Sequence, residues 1–270
     1  SDGTTLYHTR DLAAAFYREQ QFHPNRILYV VGAEQKLHFD QLKGVLTRMQ
    51  EPIAKAVEHV PFGLVLSKTE DGKWEKFASR SGNAVFLDEI LDESVAKVRS
   101  IIREKNPDLP NADEVAEQIG VSAIVFNDLK NSRIKDVKFD WEAMLNFDGE
   151  TGPYVQFACA RLSSILRKAE MPVPNVDAID CDVLADAERV LLTMMDFGTA
   201  VQRAAEQSEP SHVTGHAIAL AGEIHSYLRD HYVIGQEAKV RDARLVLVDA
   251  ARRLLTTGLA LLGIPAPERM

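Results

Sequence analysis

RILYVVGAEQKLHFDQLKGVLTRMQEPIAKAVEHVPFGLVL, residues 26–66, is the stretch on which the fold of the front of the chain turns. Its first run, Arg26–Val31, is short and apolar, stops at Gly32 and reads as a strand. Phe39, Leu42, Leu46 and Met49 then recur at helical spacing, so His38–Met49 reads as an amphipathic helix. A second apolar run, Phe62–Leu66, reads as the next strand. Two strands joined through a helix of this length run parallel, with a right-handed crossover. Open parallel sheets bind ligands beyond the carboxyl ends of their strands, which makes the segment Gly32–His38 a candidate site.

Upstream, Thr9–Gln20 reads as a helix with Thr9 as N-cap and Leu12, Ala13, Phe16 and Tyr17 on one side. Downstream, Ser67–Asn83 is polar and rich in Lys, Ser and Gly, and reads as a surface loop. From Val85 the pattern is mostly helical. Asn111–Leu129 and Pro153–Lys168 are amphipathic, and long helical patterns follow the proline-rich break at 171–177, over Cys181–Glu206, Ser211–His231 and Gln236–Leu262. Pro153 suits a first helical turn, and Gly263 with Pro265 is a stop. The expected organisation is an α/β front and an all-α back, with the boundary near 130–150. Two strands fall short of the roughly five or six of an open doubly wound sheet. The front is therefore expected to be part of a larger domain, shortened at its N-terminus or split.

Composition bounds the function classes. Hydrophobic residues at 46% and charged residues at 26% are a globular balance, so a packed core is expected. No run reaches the ~18 apolar residues of a membrane span, and no secretory pattern opens the chain. Cys159 and Cys181 are too few for a disulfide framework or a zinc site. A reduced, cytoplasmic compartment is the expectation. The net charge of −9 argues against generic polyanion binding, so any nucleic acid must be met by a chosen face.

Four segments then carry a family resemblance: SDGTTLYHTRDLAAAFYR (1–18), YVVGAEQKLHF (29–39), FNDLKNSRIKDVKFDWEAMLNFDGETGPYVQFACARL (126–162) and ARLVLVDAARRLLTTGLALLGIPAPERM (243–270). In this order, and over nearly the whole chain, they resemble the arginyl-tRNA synthetases, of class I. The resemblance implies the second half of a Rossmann-type parallel sheet followed by a helical-bundle anticodon-binding domain. It implies residues 1–130 as the C-terminal half of a catalytic domain with a KMSKS-like loop, 131–150 as a connection and 151–270 as a DALR-type anticodon-binding domain. The implied reaction is ATP-dependent activation of arginine and its transfer to the 3′ end of tRNA(Arg). Mg²⁺ would arrive with ATP, and no protein-bound metal is expected.

The resemblance also implies site residues. Tyr7, Asp11 and Gln35 match positions that contact substrate arginine, a planar cation whose pocket calls for a carboxylate and neutral acceptors. Gly32 and His38 match positions on the ATP side. The stretch FASRSGNAVFLDEIL (77–91) matches the phosphate loop, with Arg80, Ser81 and Gly82 at its centre. A lysine is common in the family where Ser81 stands, so Lys68, Lys73 or Lys76, or a lysine on the N-terminal half of the family's catalytic domain, is a candidate replacement. Tyr154, Phe157 and Arg161, at i, i+3 and i+7 of one helical face, match anticodon-loop positions, as does Met270. Tyr227 and Tyr232 flank Leu228, where the family commonly has an aromatic residue. The helix at 239–253 adds a stripe of Lys239, Arg241, Arg244, Arg252 and Arg253. A monomer without membrane contact is expected. The HIGH motif is absent from the 270 residues, so the chain alone is expected to be inactive. The competing expectation is a tRNA-binding fragment or a non-catalytic paralogue.

Overall fold

The computed structural model describes residues 3–69, 71–76 and 86–270. The chain divides into two compact units: residues up to Val65 with Arg133–Val137, and Leu66–Ser132 with Lys138–Met270.

In the first unit α1 (Tyr7–Phe22) leads to β1 (Ile27–Gly32), α2 (Lys36–Arg48) and β2 (Val57–Phe62). The strands pair in parallel, with Ile27 opposite Val57 and Gly32 opposite Phe62. Ala15 of α1 packs with Phe39, Leu42 and Leu46 of α2 and with Ile27 and Val57 of the strands. The buried face of α2 follows its periodicity except at Met49, which is exposed; on α1 Ala15 is the buried residue, whereas Ala13 and Tyr17, expected on the apolar side, are exposed. Leu28 and Val30, on the opposite face of β1, are exposed. The second strand lies earlier than the expected Phe62–Leu66. It is buried at Val57 and Val60 and carries Glu58 and His59 between them, so no continuous apolar run marks it. Gly63 instead leaves the ladder, its N–H donating to the Arg133 carbonyl. The expectation that Thr9 caps α1 is also corrected. The extended Leu6 precedes the helix and its carbonyl accepts from the Thr9 N–H, so a backbone group opens the helix without a side-chain cap.

In the second unit β3 (Val65–Lys68) and β4 (Trp74–Lys76) pair antiparallel, with Lys68 opposite Trp74. This corrects the loop expected from Ser67. The turn closes on Thr69, whose hydroxyl accepts from the Lys73 N–H, with Gly72 in a left-handed conformation. Next come α3 (Leu87–Lys105), α4 (Ala112–Leu129), the short β5 (Val137–Lys138), which lies against β3, and α5 (Trp141–Met144). The Ser94 hydroxyl donates to the Gly120 carbonyl at 2.8 Å, tying α3 to α4. α6 (Gly152–Lys168) starts where Thr151 accepts from the Tyr154 N–H, and Pro153 lies in its first turn as expected. The expected helix over Cys181–Glu206 is three pieces: a 3-10 segment (Cys181–Ala187), α7 (Glu188–Met195) and α8 (Phe197–Gln207). The break falls at Asp196-Phe197-Gly198, three residues of modest or poor helix propensity. α9 (Ser211–Asp230) and α10 (Ala238–Leu261) complete the bundle. Its core runs through Phe126, Leu162, Leu220, Ile224, Leu245, Leu255 and Leu259.

Candidate substrate pocket and RNA-facing groove

Asp11 is the carboxylate around which the first unit's polar cluster forms. It lies on α1 one turn after Tyr7 and His8, so all three share a face. From α2, His38 brings Nε2 to 2.6 Å from Asp11 Oδ2. The carboxylate can only accept, so that imidazole nitrogen carries the proton. His38 Nδ1 lies 3.0 Å from His8 Nε2, and the same His8 nitrogen lies 3.0 Å from Gln41 Oε1. Asp11 Oδ1 has no hydrogen-bond partner among the described residues, and the side chain is 24% exposed. Tyr7 is exposed, its ring centroid 4.8 Å from that of His38. Tyr29, on β1, accepts from Arg18 at 2.9 Å; burial pushes its phenol pKa up, and the nearby Asp11 carboxylate adds to the rise.

Tyr7, Asp11 and His38 are thus brought together. Gln35 closes the short 3-10 turn Ala33–Gln35 that follows Gly32 at the end of β1, and its side chain is exposed. The sequence reading missed His8, Gln41 and Tyr29. His8 carried a signal, being three residues before Asp11 on the same helix. Gln41 and Tyr29 carried none, because they meet the cluster from other elements. Arg80, Ser81 and Gly82 lie outside the described residues.

The second unit holds an open groove of about 700 Å³ lined by Phe157, Arg161, Tyr232 and Met270 together with Arg167, Lys168 and Arg269. Phe157 is 43% exposed and Tyr232 69% exposed, so both residues are open to solvent at the groove. Arg161 Nη2 reaches the Leu228 carbonyl at 3.4 Å. Asn106 donates to the Met270 carbonyl and Arg167 to that of Glu268, which holds the C-terminal residues along the groove.

Two of the expected aromatic residues do not line it. Tyr154 packs against the bundle core, edge-on to His225 at 5.2 Å, and burial raises its pKa. Tyr227 is buried. Its ring stacks on His231 at 4.3 Å and its phenol donates to Asp186, which corrects the expectation of a free stacking face. Burial first, and Asp186 second, push that phenol up to about 12, so it remains a donor. His225, between the rings of Tyr154 and Phe157, is pulled down to about 4 by burial and by Arg161.

The basic stripe of α10 is corrected as well. Lys239 pairs with Asp180, Arg241 with Asp242, Arg244 with Asp186, and Arg252 and Arg253 with Asp249. Each of these cations thus has a carboxylate partner, Asp249 serving two, and the groove's cations come from α6 and the C-terminal tail.

Comparisons with known proteins agree with this architecture. Residues 1–141 match the family model described as tRNA synthetases class I (R), catalytic domain, and residues 155–270 match the DALR anticodon binding domain. An arginine–tRNA ligase of Halothermothrix orenii is 43% identical over the whole chain, and one of Levilactobacillus brevis is 45% identical; in each case 47% of the relative is covered. The Thermus thermophilus arginyl-tRNA synthetase superposes with a TM-score of 0.86 at 31% identity, over 100% of this chain and 50% of that one. The chain spans about half the length of these relatives. Among the described residues no helix is long and apolar enough to cross a membrane. With a class I catalytic match over its front and an anticodon-binding match over its helical back, the chain belongs to the arginyl-tRNA synthetase family of class I.

Proposed function

We propose that this chain supplies the arginine pocket and the anticodon-reading surface of an ATP-dependent arginine–tRNA ligase. The observation that carries the reading is the cluster in which His38 holds one oxygen of Asp11 beside the exposed ring of Tyr7. Oδ1 of Asp11 is the atom left for the guanidinium, and Tyr7 and Gln35 add neutral hydrogen-bonding groups to a planar cation. The His38–Asp11 bond fixes the carboxylate before the ligand arrives, which lowers the ordering cost of binding. Gly32 and His38 lie on the side proposed for ATP, which carries its own Mg²⁺. Arg80, Ser81 and Gly82 are proposed for the phosphate loop. The chemistry needs no nucleophile from the protein: positioning, and stabilisation of charge developing on the phosphates, carry it.

The functional division proposed is 1–130 for catalysis, 131–150 for connection and 151–270 for the anticodon. The groove lined by Phe157, Arg161, Tyr232 and Met270 takes unstacked bases of the tRNA(Arg) anticodon loop onto its rings and guanidinium. Tyr154 and Tyr227 serve behind it, as packing. A monomer working in the cytoplasm is the proposed state.

Calorimetric titration of arginine into the chain tests the pocket. Asp11→Asn is expected to weaken binding by at least about tenfold, roughly 1.4 kcal/mol, as loss of a charged hydrogen-bonded partner does. Unchanged affinity in a folded Asp11→Asn protein removes the reading.

A further inference from the structure

The exposed ring of Tyr232 sits in the connection between α9 and α10, where no regular element holds it. One carboxylate organises that connection from behind. Asp186, at the end of the 3-10 segment before α7, accepts from the Tyr227 phenol at 2.9 Å and from Arg244 Nη2 at 3.2 Å, and lies 3.2 Å from His231 Nε2. The other arm of Arg244, Nη1, donates to the Tyr232 carbonyl at 2.7 Å. Arg244 spans α10 and the connection with its side chain only 12% exposed, so its fork has little water to fall back on. His231, stacked on Tyr227 and next in the chain to Tyr232, has its Nδ1 3.0 Å from the Tyr227 carbonyl and its Nε2 near the same carboxylate.

The geometry points to Asp186 as a positioning residue for RNA: through Arg244 it fixes the backbone that presents Tyr232 to the groove. Asp186 does not line the groove and touches no nucleotide itself. A stacking ring gains affinity when its orientation is set before the base arrives, because the ordering has already been done by the protein. This inference rests on the reading of the groove as an RNA surface.

The test is a double-mutant cycle on the 270-residue chain, with binding of an anticodon stem-loop transcript of an arginine tRNA followed by fluorescence anisotropy. Asp186→Asn keeps an oxygen for Tyr227 and turns a second acceptor into a donor facing Arg244. It is expected to weaken binding three- to tenfold. Tyr232→Ala is expected to weaken it at least tenfold, and the double variant should bind no more weakly than Tyr232→Ala alone. Amide hydrogen exchange supplies the local readout. Asp186→Asn should speed exchange at residues 232–234 at least tenfold while the centres of α9 and α10 keep their protection. Additive losses, or normal binding and exchange in Asp186→Asn while Tyr232→Ala is impaired, overturn the inference alone. Unchanged binding in both Tyr232→Ala and Arg161→Ala overturns the RNA reading and this inference with it. Loss of protection throughout α9 and α10 in Asp186→Asn makes the residue a general stabiliser and also overturns it.

Discussion

His225 shows how one side chain's surroundings set its chemistry. With its pKa pulled down to about 4, chiefly by burial and then by Arg161, the folded chain holds the imidazole neutral. The unfolded chain takes up the proton first as pH falls below the ordinary value of about 6.5. The resulting stability is present above that value and is lost as pH falls toward 4. The ring is partly solvated, so the full shift is discounted, leaving about 1 kcal/mol lost between pH 7 and pH 5. Urea unfolding at the two pH values should show this slope in the native chain and a flatter one in His225→Phe. Equal slopes would mean that the ring is not desolvated as described. The two cysteines make a second residue-scale contrast. Burial pushes the Cys159 thiol up to about 12, whereas Cys181 is exposed. Iodoacetamide under native conditions should label Cys181 and leave Cys159 untouched, since only the thiolate of an accessible cysteine reacts. Stoichiometric labelling of both, read by mass spectrometry, would contradict the packing around α6.

Between elements, close approach is decided where a side chain is missing. A Cβ at Gly120 would lie 2.8 Å from both the Cα and the N of Val95, so α4 rests on the backbone of α3 at that point. Gly120→Ala is expected to destabilise the second unit by about 1–3 kcal/mol, as overpacking does, lowering the thermal midpoint measured by circular dichroism. A midpoint equal to the native one would mean that the helices are further apart. The Ser94 to Gly120 hydrogen bond crosses the same contact, so the two helices are fixed by packing and polar pairing at one level. At the start of α6, Thr151, Gly152 and Pro153 were legible as a helix opening because capping acts within a few residues of the chain. The position of β2 was not legible, because its buried residues Val57 and Val60 lie three apart on opposite faces with Glu58 and His59 between them, so neither alternation nor a continuous apolar run marks it.

At the scale of the whole chain, charge is the quantity to test. The net charge is −9, yet the groove gathers Arg161, Arg167, Lys168 and Arg269. Four phosphate contacts at most imply a slope of log affinity against log salt no steeper than about −3 for a single strand. Anisotropy between 50 and 200 mM salt, as about a fourfold change, should therefore cost RNA affinity no more than roughly sixtyfold. A markedly steeper slope would require cations elsewhere, such as the α10 stripe, and would contradict its pairing with Asp180, Asp186, Asp242 and Asp249. The front of the chain makes the complementary expectation. With about half the length of its relatives and no HIGH motif within the 270 residues, the chain alone should give no arginine-dependent ATP–pyrophosphate exchange. Clear turnover would refute the division of labour proposed for it.

The sequence alone was enough for the parallel strand–helix–strand order, though not the place of β2, and for most of the amphipathic helices and the family, because periodic burial is written in residues near one another in the chain. It also singled out Asp11 and Arg161 through motifs of matching order. Which groups meet Asp11, that Tyr232 lies exposed at the groove while Tyr227 is sealed behind it, and that the cations of the α10 stripe are paired with carboxylates were decided by the tertiary packing alone. The two tyrosines are five residues apart and of the same type, and what separates their roles is the packing brought by Asp186 and Arg244 from elsewhere in the fold. Burial of a side chain is a property of its neighbours in space, and those neighbours are set by long-range packing that no local pattern records.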